Sequence, residues 1–121
     1  MKTSDLIGPA LDWAVAKAQG CDDLLVVTYS GADGRKYQAT KEGFTHAPST
    51  NWAQGGPIIE REWIALLPPR HPSTAPWRTY IAMNDEYEGP TPLIAAMRCF
   101  VASKLGDEVE IPNELTIKEK A

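Results

Sequence analysis

The stretch Thr91–Gly106 leaves this chain the least freedom. The Thr91 hydroxyl suits a helix N-cap, and Pro92 fits the first helical position, where its missing N–H costs nothing. Leu93, Met97, Phe100, Val101 and Leu105 then recur along one stripe, and Gly106 supplies a stop. An apolar stripe of this kind has to be buried against other elements, and the remaining segments are read as what covers it.

Ser4–Gln19 has a second helical pattern, with Ile7, Leu11, Ala14, Val15 and Ala18 in register and Gly20 at the end. Pro9 allows two starts, one at Pro9 itself and one near Ser4 with a bend. The spacing favours the earlier start. Leu24–Tyr29 reads as a strand, Ser30–Gly34 as a hairpin turn and Arg35–Thr40 as the returning strand. Glu42–Pro57 is rich in Gly, Pro, Ser and Thr and reads as a loop. Ile58–Leu67 is expected to be a long strand, with Ile58, Glu60 and Glu62 on one face and Ile59, Arg61 and Trp63 on the other. Pro68, Pro69, Pro72 and Pro76 keep the next stretch out of a sheet interior. Trp77–Met83 resumes as a strand antiparallel to the one before. Asn84–Pro90 is an acidic turn, and Val109–Ile111 a short final strand. These elements predict an α+β fold, an antiparallel sheet with two helices packed on one face. Residues 1–112 form the single domain and 113–121 a charged, poorly ordered tail.

At 121 residues, 43% hydrophobic and 23% charged, the chain has the composition of one globular domain. Twelve Lys and Arg stand against sixteen Asp and Glu, a net charge of −4. Neither nucleic acid nor an anionic membrane is an expected partner. Arg35, Lys36 and Lys41 form a local basic cluster that reads as a solvated hairpin edge. The longest apolar run, Trp63–Leu67, is strand-sized, and the Met1–Asp5 start lacks a signal peptide's apolar core. The expected compartment is the cytoplasm. Cys21 and Cys99 match no metal spacing, and both are expected as thiols, Cys99 within an apolar helical face.

Catalytic signatures are sparse. The chain has no Walker phosphate loop, no His-Glu-x-x-His and no Gly-x-Ser-x-Gly. His46 and His71 sit in Pro-containing loops and read as solvent-facing. Glu60 and Glu62 read as surface residues of a half-exposed sheet, and Asp85, Glu86 and Glu88 as a solvated turn. No catalytic residue, metal site or cofactor is expected.

Ser49–Pro57 differs. Trp52 offers a stacking surface, and Asn51 and Gln54 offer amides that read polar edges. Gly55 and Gly56 allow backbone donors close to a ligand. Arg61 and Arg98 are candidates to pair with a phosphate. The set suits a nucleotide-like ligand. Gly-Gly-Pro is also good turn chemistry by itself, and Trp52 also suits the edge of a core.

Tyr87-Glu88-Gly89-Pro90-Thr91-Pro92-Leu93-Ile94-Ala95-Ala96-Met97-Arg98-Cys99-Phe100-Val101-Ala102-Ser103-Lys104-Leu105-Gly106-Asp107-Glu108-Val109, together with the Ser49–Pro57 loop, resembles the NinX-like family of small tailed-phage proteins. Leu11-Asp12-Trp13-Ala14-Val15-Ala16-Lys17-Ala18 is similar to that family's opening helix. The hairpin around Ser30–Lys41 and the Pro-rich loop fit the pattern less well and look like variable connections. The resemblance implies a phage accessory protein made in the cytoplasm of an infected bacterium, from a family of unknown function. Phage proteins of this size include sponges for nucleotide-derived immune signals, an analogy that names no residue here. The expectation is a non-enzymatic protein that sequesters a small nucleotide-derived signalling molecule to counter host defence. A homo-oligomer with sites between subunits follows from the small interior. The alternative is a protein–protein interaction module anchored by Trp63 and Trp77, if they are exposed; plain core packing is the competing fate of each.

Overall fold

Helix α3 spans Pro92–Leu105 in the computed structural model, and its start is capped as the sequence predicts. The Thr91 hydroxyl accepts a hydrogen bond from the Ile94 N–H at 3.1 Å. Burial goes beyond one stripe: Leu93 to Met97 and Cys99 to Val101 are all buried. Leu105, placed on the buried stripe by spacing alone, is exposed at the helix end. Helix α3 is enclosed because other elements pack on it from several sides, where a single-faced helix would show one apolar stripe. The structure describes residues 1–20, 25–31, 34–41, 44–45, 47–71, 76–81 and 86–111, with 25–31, 34–41 and 44–45 as backbone. Cys21, His46, Asp85 and the tail at 113–121 lie outside the described residues, as do the side chains of Arg35, Lys36 and Lys41.

Helix α1, Gly8–Ala18, packs on α3 and starts later than the favoured reading. Thr3–Asp5 is a separate 3₁₀ turn, Leu6 and Ile7 are extended, and Gly8 enters the helix at φ +60. No bend is needed, since Pro9 stands in the first turn, where its lost donor has no intrahelical partner. Ile7 is consequently outside the helix and exposed.

The largest correction concerns 52–67. Trp52–Glu62 is helix α2, and strand β4 is only Ile64–Leu67. The loop expected through Pro57 is therefore helical from Trp52 on, despite two glycines and an interior proline. Asn51 caps it, its side chain accepting from the Ala53 N–H at 2.9 Å. Packing supplies the rest: Gly55 and Ile58 are buried against the loop at 47–50 and α3, which outweighs poor intrinsic propensity. Glu60 and Glu62 do not share a face, because residues two apart on a helix point to different sides.

Strands β1 (Leu25–Gly31), β2 (Gly34–Lys41) and β3 (Phe44–Thr45) form one antiparallel sheet, with Gly31 paired to Gly34. It meets the rest of the fold through β2 and α1. Strands β4, β5 (Trp77–Ile81) and β6 (Tyr87–Gly89) form a second antiparallel sheet in that order. Part of the expected acidic turn is thus strand. This sheet lies on α3, where the Thr79 hydroxyl donates to the Ala95 carbonyl at 3.0 Å. Gly89 permits the contact, since a Cβ there would come within 2.6 Å of the Ala95 nitrogen. Val109–Ile111 forms no strand. Instead, the ends of the domain meet: Lys2 bridges Glu108, and Val109 N–H donates to the Met1 carbonyl at 2.9 Å.

Three helices and two antiparallel sheets among the described residues make an α+β fold. Leu6, Leu11, Val15, Ile58, Met97 and Phe100 are among the residues at its core. Among the described residues, no helix is long and apolar enough to cross a membrane.

Candidate functional site

The seven residues singled out from sequence fall at three places. Five of them form the start of α2, and three of those have tasks within the fold. Asn51 is the N-cap. Gln54 Oε1 accepts from the Ala47 N–H at 2.7 Å, which ties the helix to the incoming chain. Gly55 brings its backbone close to the chain itself: a Cβ would run into the Pro48 carbonyl and sit 2.6 Å from Leu93 Cδ2. Its N–H donates to the Asn51 carbonyl. At Gly56 the nearest feature is the Trp52 ring, 3.9 Å from where a Cβ would stand. Trp52 itself is 53% exposed. Ser49, at the head of this segment, donates its N–H to buried Asp12 at 2.8 Å.

Arg61 lies at the other end of α2. It pairs with Glu62 at 3.2 Å, and Glu62 also reaches Lys104 Nζ at 3.4 Å. Burial raises the Glu62 carboxyl, but the bonds and charges of Arg61 and Lys104 outweigh it and hold the group below its ordinary range.

Arg98 is the candidate that the fold places in a cleft. It interrupts the apolar run of α3, and its guanidinium is held in position by two backbone carbonyls. Nε donates to Leu6 O at 2.7 Å and Nη1 to Glu88 O at 2.8 Å. Burial pushes the guanidinium below its ordinary value, while the Asp5 charge favours the protonated form. The cleft has a volume of about 770 Å³, within the usual range of small-molecule sites. Ser4, Tyr87, Glu88, Gly89 and Pro90 are among the residues lining it with Arg98, and Glu86 and Pro76 complete the rim. Glu86 is 3.5 Å from Arg78 Nη1.

Trp52, Asn51 and Gln54 are not among the cleft-lining residues, so the structure does not join them to Arg98 in one site. The aromatic beside Arg98 is Tyr87. Sequence reading passed over Tyr87 because it treated 84–90 as a solvated turn. The available signal was an arginine inside an otherwise apolar helix, since such a charge needs fixed acceptors or a ligand.

Electrostatically, the cleft is mixed. Asp5, Glu86 and Glu88 surround Arg98 and Arg78, so carboxylates slightly outnumber guanidiniums. Such a rim suits a ligand with one anionic group and several N–H donors better than a polyphosphate. None of the residues lining the cleft is His or Cys. Cys99, next to Arg98 in sequence, is buried, and burial raises its thiol.

Trp63 is the other exposed feature. Core packing was the expected competing fate of each tryptophan, but Trp63 is 87% exposed and Trp77 half-buried. Trp63 is also the C-cap of α2 at φ 56, ψ 47, a left-handed conformation that glycine usually fills.

A family model described as bacteriophage P22, NinX matches residues 2–104. No curated protein sequence matches the chain.

Proposed function

We propose that this chain, which belongs to the bacteriophage P22 NinX family, is a non-enzymatic phage protein that captures a small nucleotide-derived molecule in the Arg98 cleft. The observation that carries the reading is the fixed guanidinium. Leu6 O and Glu88 O orient Arg98 before any ligand arrives, which lowers the cost of ordering it on binding. Its remaining N–H groups can meet one phosphate or carboxylate, Tyr87 offers a ring beside it, and Glu86 and Glu88 can accept from base or ribose donors. The proposed role is removal of a host defence signal in the cytoplasm of an infected bacterium, by analogy with phage proteins of comparable size and build.

Thermal-shift measurements against mononucleotides, cyclic dinucleotides and cyclic ADP-ribose-type molecules test the reading. A rise in melting temperature with one class, lost in Arg98→Lys, is expected. No shift with any of them would sink it. Ligand recovered unchanged after heating the complex supports capture over conversion.

A further inference from the structure

We propose that the anion taken by the Arg98 cleft is a phosphodiester with a single negative charge, gripped between Arg98 and the hydroxyl of Ser4. The inference rests on the nucleotide reading of that cleft and names the kind of nucleotide it takes. The guanidinium is already committed along one flank, through Nε to Leu6 O at 2.7 Å and Nη1 to Glu88 O at 2.8 Å. Arg98 therefore meets an anion from one side, and a second donor is needed to close around it. Ser4 lines the same cleft.

Its hydroxyl is placed for that task. Thr3, just before it, is fully buried and donates its hydroxyl to Gly106 O at 2.7 Å and its N–H to Asp107 O at 2.9 Å. Leu6, just after the turn, is buried in the core and holds Arg98 Nε through its carbonyl. Ser4 is thus anchored on both sides, while its own side chain is exposed and has no hydrogen-bond partner among the described residues. A hydroxyl carried on a fixed backbone donates at little ordering cost.

The charge of the ligand follows from the rim. Asp5 on the N-terminal turn, Glu86 and Glu88 by β6, Arg78 on β5 and Arg98 on α3 set three carboxylates against two guanidiniums. Arg98 is the single cation among the described residues that line the cleft. A phosphodiester brings one negative charge for it to meet, whereas a phosphomonoester carries about two near neutral pH. The second charge of a monoester would face carboxylates with no further cation to offset it.

Calorimetry on the full chain tests this with matched pairs in which the base is the same: cyclic AMP against AMP, cyclic GMP against GMP, and cyclic di-GMP against its ring-opened form with a terminal phosphate. At about pH 7.5 the diester of at least one pair is expected to bind about tenfold more tightly than its monoester, and the gap is expected to narrow at about pH 5.5, where the monoester sheds its second charge. Ser4→Ala is expected to weaken the diester complex about tenfold, and Ser4→Thr, which keeps the hydroxyl, to restore it. Equal affinity within every pair, or a tighter monoester, overturns the inference and leaves the nucleotide reading standing. Wild-type affinity in Ser4→Ala overturns the grip assigned to Ser4. No binding by any of the six overturns both readings.

Discussion

The carboxylate of Asp12, on the first helix, accepts a hydrogen bond from the backbone N–H of Ser49, 37 residues further along, at 2.8 Å. That bond pins the segment leading into α2 against α1. The Asp12 carboxylate is buried, which pushes its pKa up to about 6, while hydrogen bonding from Ser49 pulls the other way.

A pH dependence follows, and its sign is unusual for an aspartate. The folded state holds the proton more tightly than the unfolded chain, whose value is near 3.8. Asp12 therefore makes the fold less stable as pH rises from about 4 to about 6, by at most about 3 kcal/mol. Asp12→Asn keeps an acceptor for Ser49 and removes the buried charge. Urea denaturation at pH 7 is expected to show the variant about 1–3 kcal/mol more stable, with the difference vanishing at pH 4. An equal gap at both pH values would contradict the assignment.

Gly55→Ala is expected to destabilise the fold by about 2–3 kcal/mol, because the new methyl meets the Pro48 carbonyl and Leu93. Gly56→Ala, where the new methyl would meet only the Trp52 ring at an ordinary 3.9 Å, is expected to be neutral or stabilising by up to about 1 kcal/mol in a helix. Thermal melts of the two variants side by side separate packing from helix propensity.

Thr91→Ala removes the side-chain cap of α3 and is expected to cost about 1 kcal/mol. Thr91→Ser, which keeps an acceptor for the Ile94 N–H, is expected to retain most of it. Equal losses in the two variants, read by equilibrium unfolding, would mean that the hydroxyl does not act as the cap.

Arg98→Lys keeps the charge but gives up the planar fork that spans Leu6 O and Glu88 O. The expected result is a loss of about 1 kcal/mol in stability, since the Leu6 hydrogen bond is part-buried and the Glu88 one exposed to water. Calorimetry with whichever nucleotide class raises the melting temperature is expected to show at least a tenfold weaker complex. A variant with wild-type affinity would remove Arg98 from the site.

Trp63→Gly is expected to stabilise the single chain by about 1 kcal/mol, since glycine adopts the left-handed cap without the strain a tryptophan carries. Chemical denaturation at a concentration too low for self-association reads this directly. An unchanged stability in Trp63→Gly would show that the left-handed cap carries no strain.

Local chemistry made part of this molecule legible. The α3 start could be read from Thr91 and Pro92 because a cap depends on residues within a few positions. The hairpin of β1 and β2 was likewise set by a short turn, and the register Gly31 to Gly34 agrees with it. The segment at 52–62 shows the opposite case. Gly-Gly-Pro favours a turn locally, yet burial of Gly55 and Ile58 against distant residues makes it a helix. The candidate site was legible only at Arg98, as a charge out of place in an apolar helix. Its neighbours Tyr87, Glu88 and Ser4 come from separate segments, which no local pattern joins.

The amino-acid sequence by itself therefore determined the α+β class, the cap and length of α3 and the family, because each depends on short-range pattern. Tertiary structure alone decided that 52–62 is helical, that Trp63 stands in solvent and that Arg98 faces a cleft. Those outcomes depend on which surfaces distant segments bury against one another, and burial is a property of the assembled chain.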